Sequence, residues 1–294
     1  MNCAIIGSTK IAQVHAEQLI KNGVREITFL SRSRIKREKI ITEVKKKISK
    51  KILFFHSDLK ILKKKSFNII CICSNTEVHD KHLKFVSGLK STIIIEKPII
   101  SLLKFKKKYQ FFLKDFYRRN KKVIVCYPYL YLAKSFKNLI NNKKRPKKIN
   151  FEFQTGGKAK FKKICINLMP HALSFFHIFL KKKFFGKVFK KNLPIVEKHK
   201  WEVTFTVNKI ILSLIFKENF LKKTSLKLKV DDLLIARRTL KKNGNFINFL
   251  QNYRTKKRKI INNPMGDFYK EFFKNHKNPQ YYRLNKSLTF NIMK

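Results

Sequence analysis

The strongest constraint on the fold is an alternation, up to Cys126, of short apolar runs with amphipathic segments. Runs that are apolar at successive positions are typical of strands buried on both faces, as in a parallel sheet covered by helices. The predicted strands are Asn2–Gly7, Glu26–Ser31, Ile52–Phe55, Phe67–Ser74, Thr92–Ile95 and Lys122–Cys126. The pattern therefore predicts an α/β domain with a doubly wound parallel sheet, of the size of one nucleotide-binding unit.

The remainder of the chain shows a different pattern, in which apolar and polar residues alternate. This alternation, with a hairpin turn at Asn208-Lys209, indicates a mainly antiparallel or mixed sheet with one covered face. Helices are predicted at Cys165–Leu180 and Asp267–Asn275, and strands at Lys148–Gln154, Trp201–Val207, Ile210–Phe216, Leu226–Val230 and Phe246–Leu250. We therefore expect a second α/β domain, with a division at residues 1–122 and 123–294. An exposed face of its sheet would suit a homo-oligomer.

The formal net charge of +53 raises the question of a polyanionic partner. A nucleic-acid site concentrates its basic residues locally, whereas lysines occur here along the whole chain, as an AT-rich coding sequence produces. We therefore expect no specific nucleic-acid partner, although polyanion binding stays an open alternative. No apolar run reaches the roughly 18 residues of a membrane helix, and no basic segment precedes the apolar start. A cytoplasmic protein without a membrane partner is expected.

The cysteines lie in apolar, core-like runs and form no CxxC pair; they are Cys3, Cys71, Cys73, Cys126 and Cys165. An odd number in such settings favours reduced thiols over a disulfide framework or a zinc site. We therefore expect no metal.

The first predicted strand runs directly into a turn, Gly7-Ser8-Thr9-Lys10-Ile11-Ala12. In a dinucleotide-binding turn, the first glycine allows the tight bend, the second lets the backbone approach the pyrophosphate, and the third position must be small. Gly7 and Ala12 meet the first and third requirements, and Thr9 departs from the second. A pyrophosphate would meet the N-terminus of the following helix, near Lys10 and Ile11. The alternative is a strand–turn–helix junction that binds nothing.

The second predicted strand ends in Ser31-Arg32, with no carboxylate in the turn. A carboxylate at this place binds the 2′-hydroxyl of the ribose in NAD, whereas an arginine accommodates the 2′-phosphate of NADP. The turn therefore favours NADP over NAD. In so basic a chain, Arg32 is alternatively one more surface cation.

Two further strand ends carry polar residues that would meet at the same edge of the sheet. Ser74-Asn75-Thr76 follows the fourth strand, where it would line the nicotinamide side or, alternatively, cap the next helix, which includes His79. Glu96-Lys97-Pro98 follows the fifth strand, and the proline biases Lys97 away from helical backbone. A lysine at this edge can hold and polarise a substrate hydroxyl.

In their order and spacing these motifs resemble the Gfo/Idh/MocA family (glucose-fructose oxidoreductase, inositol dehydrogenase and rhizopine catabolism proteins). The residues that carry the resemblance are Gly7–Ala12 with His15, Ser74–His79, and Glu96-Lys97-Pro98. The resemblance implies a Rossmann dinucleotide-binding domain over residues 1–122 and a substrate or dimerisation domain over residues 123–294. It also implies NADP- or NAD-dependent transfer of hydride to or from a hydroxyl-bearing carbon of a sugar, sugar nucleotide or cyclitol. His79, Glu96 and Lys97 would contact the cofactor.

The same resemblance extends to Asn167-Leu168-Met169-Pro170-His171, at the start of a predicted helix. It implies that His171 acts as general base on the substrate hydroxyl, with assistance from Lys97; an imidazole that is neutral near pH 7 suits that task. The family pattern has carboxylates where Asn167 and Ser174 stand. This departure leaves open that His171 only packs locally, and that the protein is an inactive descendant that binds a nucleotide or a partner.

Overall fold

The computed structural model describes residues 1–31, 33–48, 52–101, 107–140, 146–180, 193–207, 209–242 and 245–293. Its contacts group the chain into two compact units. The first unit comprises Met1–Cys126 and Phe268–Met293, and the second comprises Tyr127–Asp267. The C-terminal segment thus groups with the N-terminal residues, whereas the sequence-based division had placed it with residues 123–267. The division into two functional domains stays a prediction.

The first unit is built on the parallel sheet that the sequence predicts. Its strands are β1 Asn2–Ile6, β2 Glu26–Leu30, β3 Leu53–Ser57, β4 Ile69–Ile72, β5 Thr92–Glu96 and β6 Val123–Cys126. They pair in parallel in the order β3-β2-β1-β4-β5-β6, so the strand order reverses at β1. Ligands of doubly wound sheets bind at the carboxyl edge, at this point of reversal.

Helices occur in both units, and the two predicted at Cys165–Leu180 and Asp267–Asn275 each begin three residues earlier than predicted. The helices are α1 Lys10–Lys21, α2 Arg34–Lys47, α3 Ile61–Lys64, α4 His79–Val86, α5 Lys107–Arg119, α6 Pro128–Ile140, α7 Lys162–Leu180, α8 Pro264–Asn275 and α9 Pro279–Met293. The Phe-rich segment Ser101–Arg119 predicts one long helix. Its described part is α5, because residues 102–106 lie outside the described residues. Among the described residues, no helix is both long and apolar enough to cross a membrane.

The edge strand β6 is completed by a side chain of α9. The Asn285 side-chain amide donates to the Val125 carbonyl (3.0 Å), and its carbonyl oxygen accepts from the Val125 N–H (2.9 Å). An edge strand otherwise exposes backbone groups to other chains. This pairing explains why the C-terminal helix belongs to the first unit.

The second unit contains the mainly antiparallel sheet expected from the alternating pattern. Its strands are β7 Lys148–Thr155, β8 Ile195–Val196, β9 Lys200–Val207, β10 Ile210–Glu218, β11 Ser225–Val230, β12 Leu233–Lys242, β13 Asn245–Asn252 and β14 Arg258–Ile261. Their order is β14-β13-β12-β11-β7-β10-β9-β8. The pairing of β7 with β10 is parallel, and the other pairings are antiparallel.

Aromatic side chains fill the space between this sheet and its covering helices. Phe151 of β7 lies 5.1 Å from Phe175 and 5.3 Å from Phe176 of α7, measured between ring centroids. Phe136 of α6 contacts the edge of Phe175 at 5.3 Å. The two helices therefore share one core with the inner face of β7, and this core fixes the position of α7.

Candidate functional site

The turns that follow β1, β2 and β4 are joined by backbone hydrogen bonds at the carboxyl edge of the parallel sheet. The Gly7 N–H donates to the Leu30 carbonyl (2.9 Å), and the Cys73 N–H donates to the Ile6 carbonyl (2.8 Å). These bonds continue the parallel ladder past the last residues of the strands. The sequence-predicted turns of Gly7, Ser31 and Ser74 are thus brought to one edge.

Gly7 cannot be replaced without strain, for two reasons. Its φ of +125° lies in a region that residues with a side chain rarely adopt. A Cβ atom built there would lie 2.8 Å from the Cys73 carbonyl oxygen and 2.9 Å from the carbonyl carbon. The glycine therefore serves the close approach of β1 and β4 as well as the bend into α1.

Thr9 is the N-cap residue of α1, but its side chain does not cap the helix. Its hydroxyl donates instead to the Cys73 carbonyl (3.2 Å). No acidic residue lies in the first turn, which begins with the exposed Lys10. Since the first N–H groups of a helix have no partner within it, this helix end presents donors and a positive dipole to an anion.

The turn after β2 contacts the turn after β1 through two serines. The hydroxyls of Ser8 and Ser31 lie 3.0 Å apart, and both side chains are half-buried. Ser33 accepts from the Lys36 N–H (3.3 Å) and caps α2. The predicted NADP determinant, Arg32, lies outside the described residues, so the prediction that rests on it stays a prediction.

The turn after β4 combines a capping residue with accessible polar side chains. Asn75 is exposed, and its side-chain oxygen accepts from the Glu77 N–H (3.2 Å), where a short 3-10 turn at Thr76–Val78 begins. The Ser74 hydroxyl is hydrogen-bonded to the Nδ1 atom of His82 (2.8 Å). Capping by Asn75 was one of the two predicted alternatives, and it leaves Thr76 half-buried at the sheet edge.

His79 connects the turns after β4 and β5. Its ring is fully buried, with Nδ1 3.1 Å from the Pro98 carbonyl oxygen and Nε2 3.0 Å from the Ser74 carbonyl oxygen. Burial lowers the pKa of His79 and outweighs the two carbonyl groups beside its ring, which raise it. The geometry gives His79 a role in holding the two turns; contact with a cofactor stays a prediction.

Glu96, the last residue of β5, forms a buried network with His15 and Tyr269. Its carboxylate lies 2.7 Å from Nε2 of His15, and Nδ1 of the same ring lies 2.5 Å from the Tyr269 hydroxyl. His15 and Tyr269 are inaccessible to solvent, and Glu96 is 8% exposed. The sequence analysis missed Tyr269, although it predicted the helix that carries it. Glu96 was predicted to contact the cofactor, whereas the oxygen described here is directed to His15.

The network has the electrostatics of a buried ion pair. Burial lowers the pKa of His15, but electrostatic interactions with Cys73 and Tyr269 and hydrogen bonds with Cys71 and Cys73 outweigh it, and the pKa is raised well above its usual range. Burial raises the pKa of Glu96, but the hydrogen bond and positive charge of His15 and the charge of Lys97 outweigh it, and the pKa is lowered. Glu96 is therefore ionised, and the imidazole favours its charged form.

Donor atoms of His15, Glu96 and Cys126 all lie within 4.8 Å of one another, which is compatible with a metal site. Two tetrahedral zinc ligands of the nitrogen and oxygen type lie about 3.3 Å apart, from bond lengths near 2.0 Å. The 2.7 Å between His15 and Glu96 is shorter and matches a hydrogen bond. The geometry thus favours the ion pair, and the expectation of no metal stays a prediction.

Lys97 follows Glu96 at the carboxyl end of β5 and is half-buried. The peptide bond between Lys97 and Pro98 is cis. Lys97 follows β5, which is the neighbour of β4 in the sheet and lies two strands from β1. This position at the sheet edge is the one that the sequence predicted for it.

In the second unit, His171 lies in the middle of α7, whereas the prediction placed it near the start of a helix. Its half-buried ring lies 4.4 Å from the ring of Tyr129 and 5.5 Å from that of Phe153, between centroids. Burial raises the pKa of Tyr129 to about 12, so this phenol is neutral. The two aromatic rings set the orientation of the imidazole.

Polar contacts surround the same part of α7. The Asn167 amide donates to Oε1 of the buried Glu218 (3.2 Å), whose Oε2 accepts from the Ala159 N–H (2.8 Å). Ser174 is buried, and its hydroxyl donates to the His171 carbonyl within the helix (2.9 Å). Glu218, which the sequence analysis missed, thus fixes the segment before α7 to the helix one turn ahead of His171.

Residues 1–112 match the model of the Gfo/Idh/MocA family, which is described as an oxidoreductase family with an NAD-binding Rossmann fold. This match confirms the resemblance that the sequence predicted, over that part of the chain. Among curated proteins, none matches the chain.

Solved structures of low sequence identity share the whole fold. A UDP-N-acetylglucosamine 3-dehydrogenase from Acidithiobacillus ferrooxidans is 10% identical with a TM-score of 0.68, over 99% of this chain and 95% of that one. A Gfo/Idh/MocA family oxidoreductase from Vibrio cholerae is 10% identical with a TM-score of 0.66, over 100% and 96%. A 3-ketoreductase from Actinomadura kijaniata, in complex with NADP, is 9% identical with a TM-score of 0.64, over 100% and 95%. The predicted fold class is confirmed.

Proposed function

We propose that this protein is an NADP- or NAD-dependent oxidoreductase that transfers hydride between the nicotinamide and a hydroxyl-bearing carbon. The observation that carries the proposal is the turn from Gly7 to Lys10. There the backbone of two strands approaches too closely for a Cβ atom, and an uncapped helix N-terminus follows. Such a turn, at the reversal point of a parallel sheet, fits the pyrophosphate of a dinucleotide. It lies in the segment that matches an NAD-binding oxidoreductase family.

The neighbouring turns supply the other contacts in this proposal. Ser31, with Arg32, would bind the ribose end and favour NADP through its 2′-phosphate. Asn75 and Thr76 would border the nicotinamide end. The fold supports this arrangement, since all of these residues follow β2 or β4, the neighbours of β1 in the sheet.

The cofactor, when bound, supplies the hydride chemistry. Lys97 would hold the substrate oxygen and stabilise negative charge on it through its ammonium group. His171 would take the hydroxyl proton during oxidation and return it during reduction. The roles of both residues come from the family resemblance.

We propose a sugar, sugar nucleotide or cyclitol as the substrate class. Two proteins of the same fold are named as a UDP-N-acetylglucosamine 3-dehydrogenase and a 3-ketoreductase, and a third as a myo-inositol dehydrogenase. Shared fold alone does not fix a substrate, so the proposal stays at the level of the class.

The first test is a fluorescence titration of the purified protein with NADPH and NADH at moderate salt, with ATP and tRNA as polyanion controls. Saturable binding that persists as salt is raised, and that is tighter for NADPH, supports the cofactor site and the role of Arg32. Absence of saturable binding of NADPH and NADH, or binding that is lost as salt is raised, would refute the proposal.

A second candidate is a protein of this fold that retains nucleotide binding without turnover. It is favoured by the replacement of both carboxylates of the family pattern by Asn167 and Ser174, since the Ser174 hydroxyl is engaged within its own helix. Tight NADPH binding with no oxidation or reduction across a panel of sugars, sugar nucleotides and cyclitols would support it. Turnover of any member of the panel would exclude it.

A further inference from the structure

A groove of about 630 Å³ opens on the first unit at the amino ends of three strands. Its walls come from the segments before β4, β5 and β6, so it lies at the edge of the parallel sheet opposite the turns of the candidate cofactor site. Small-molecule sites typically measure about 300 to 1,000 Å³. The groove therefore has the size of a ligand site, and the function proposed above makes no use of it.

The walls of the groove are basic. Five of the lining residues are lysines, which are all exposed: Lys63, Lys64, Lys65, Lys90 and Lys122. Among the described residues that line it, none is Asp or Glu. Lys65 pairs with Glu26 from outside the lining. The described wall of the groove thus presents five ammonium groups and no carboxylate of its own.

The floor of the groove is apolar, and three of the lining residues carry hydroxyl groups, of which the Thr92 hydroxyl belongs to a buried residue. Leu62, Phe67 and Ile70 are buried beneath it, and the hydroxyl-bearing residues are Ser66, Ser91 and Thr92. A concave surface with low-dielectric walls concentrates the field of its charges more strongly than a convex surface with the same number of lysines. The high net charge of the chain therefore does not make all its lysines equivalent.

We propose that this groove binds a compact polyphosphate anion, either free or as the triphosphate of a nucleotide. Lysine ammonium groups bind phosphate oxygens through charge-assisted hydrogen bonds, and serine and threonine hydroxyls donate to the same oxygens. An extended nucleic acid would instead need a basic stripe that continues beyond the groove. The inference is independent of the proposed oxidoreductase function, because the groove and the cofactor turns lie at opposite edges of the sheet.

The test compares two triple variants by isothermal titration calorimetry with inorganic tripolyphosphate and with ATP. K64Q/K90Q/K122Q removes three charges from the groove. K223Q/K257Q/K259Q, the matched control, removes three charges from exposed lysines of the second unit. Both lower the net charge equally, so a purely nonspecific attraction changes equally.

We expect saturable binding to the unmodified protein, at least about tenfold weaker binding to the groove variant, and less than about twofold change in the control. Equal affinities for tripolyphosphate and ATP would show that phosphate alone is recognised, and tighter ATP binding would show that the apolar floor holds a base; both support the site. Equal weakening in the two variants, an unchanged affinity of the groove variant, or no saturable binding to the unmodified protein would overturn it.

NADPH titration of the same variants separates this inference from the proposed function. The groove variant should bind NADPH with unchanged affinity, since none of its three lysines belongs to the cofactor turns. Absence of NADPH binding to the unmodified protein would refute the cofactor site and leave the groove result standing. A circular dichroism melt of each variant verifies that it is folded, and K122Q alone repeats the test with one substitution.

Discussion

Gly7→Ala should destabilise the first unit and abolish NADPH binding, for a reason that a matched substitution can isolate. Gly7 has φ +125°, and an added Cβ would lie 2.8 Å from the Cys73 carbonyl oxygen. Gly23, at the end of α1, has φ +94°, and a Cβ added there meets no atom within 4 Å. Both substitutions therefore impose backbone strain, and only the first also imposes a clash with backbone.

The expected magnitudes follow from these two contributions. Strain at a positive φ costs about 1 to 3 kcal/mol. Forcing extra volume into a packed site costs about 1 to 3 kcal/mol in addition. Gly23→Ala should thus lower the free energy of unfolding by about 1 to 3 kcal/mol, and Gly7→Ala by about 2 to 6 kcal/mol.

The measurement is urea unfolding followed by circular dichroism, together with NADPH titration of each folded variant. The single tryptophan, Trp201, lies in the second unit, so its fluorescence reports the unfolding of that unit separately. Gly23→Ala should bind NADPH with unchanged affinity. Equal destabilisation by both substitutions, or full NADPH affinity in Gly7→Ala, would refute the argument from the close approach of β1 and β4.

Three further predictions concern polar groups. Lys97→Ala should leave the unfolding free energy and NADPH affinity nearly unchanged and abolish turnover; loss of the fold would show a structural role. Because its pKa is raised on folding, His15 stabilises the folded state fully below about pH 6.5, and this stabilisation is lost at higher pH. Because its pKa is lowered on folding, Glu96 stabilises the folded state fully above about pH 4.5, and this stabilisation is lost at lower pH. Glu96→Gln should therefore flatten the dependence of the unfolding free energy on pH, measured by urea titration from about pH 2 to 9, and an unchanged dependence would contradict the ion pair. Glu218→Gln should lower that free energy by about 1 to 3 kcal/mol at pH 7, because an amide cannot accept at both positions from Ala159 and Asn167; a loss within error would contradict that role.

The strands of the first unit could be predicted because burial on both faces leaves a continuous apolar run. Every predicted strand of that unit has a counterpart, with ends that shift by a few residues. At Phe67–Ser74, for example, the strand begins only at Ile69 and ends at Ile72. The apolar run is longer than the strand because neighbouring side chains, such as Phe67, are buried without being paired.

The C-terminal helix α9 could not be predicted in the same way. Its buried residues include Tyr282, Leu288 and Ile292, which are separated by polar residues and lysine. Its position depends on Asn285, which pairs with Val125 from 160 residues away. Periodicity detects a local pattern, whereas this helix is positioned by a tertiary contact.

The distinction between local patterns and tertiary contacts also applies to the candidate site. The turns at Gly7, Ser74 and Lys97 are local sequence features, and their place at one sheet edge follows from parallel topology. The partners of His15 and Asn167 are not local: Tyr269 lies 254 residues from the first, and Glu218 lies 51 residues from the second. Their side chains have no sequence motif of their own, so only the fold reveals them.

Thr9 stands where the turn pattern has its second glycine, and it causes no backbone strain there. A glycine is required where φ is positive or where a Cβ would clash, but Thr9 has φ −101° and ψ 168°, which any residue adopts. Its hydroxyl is directed to the Cys73 carbonyl rather than to the helix N–H groups, so it does not compete with an anion for them. The Thr9 hydroxyl thus adds a hydrogen bond between the turns after β1 and β4, and the N-terminus of α1 stays uncapped. Gly7 and the uncapped N-terminus of α1 are therefore both present in this turn, and the NADPH titration tests whether a pyrophosphate approaches the backbone beside the Thr9 side chain.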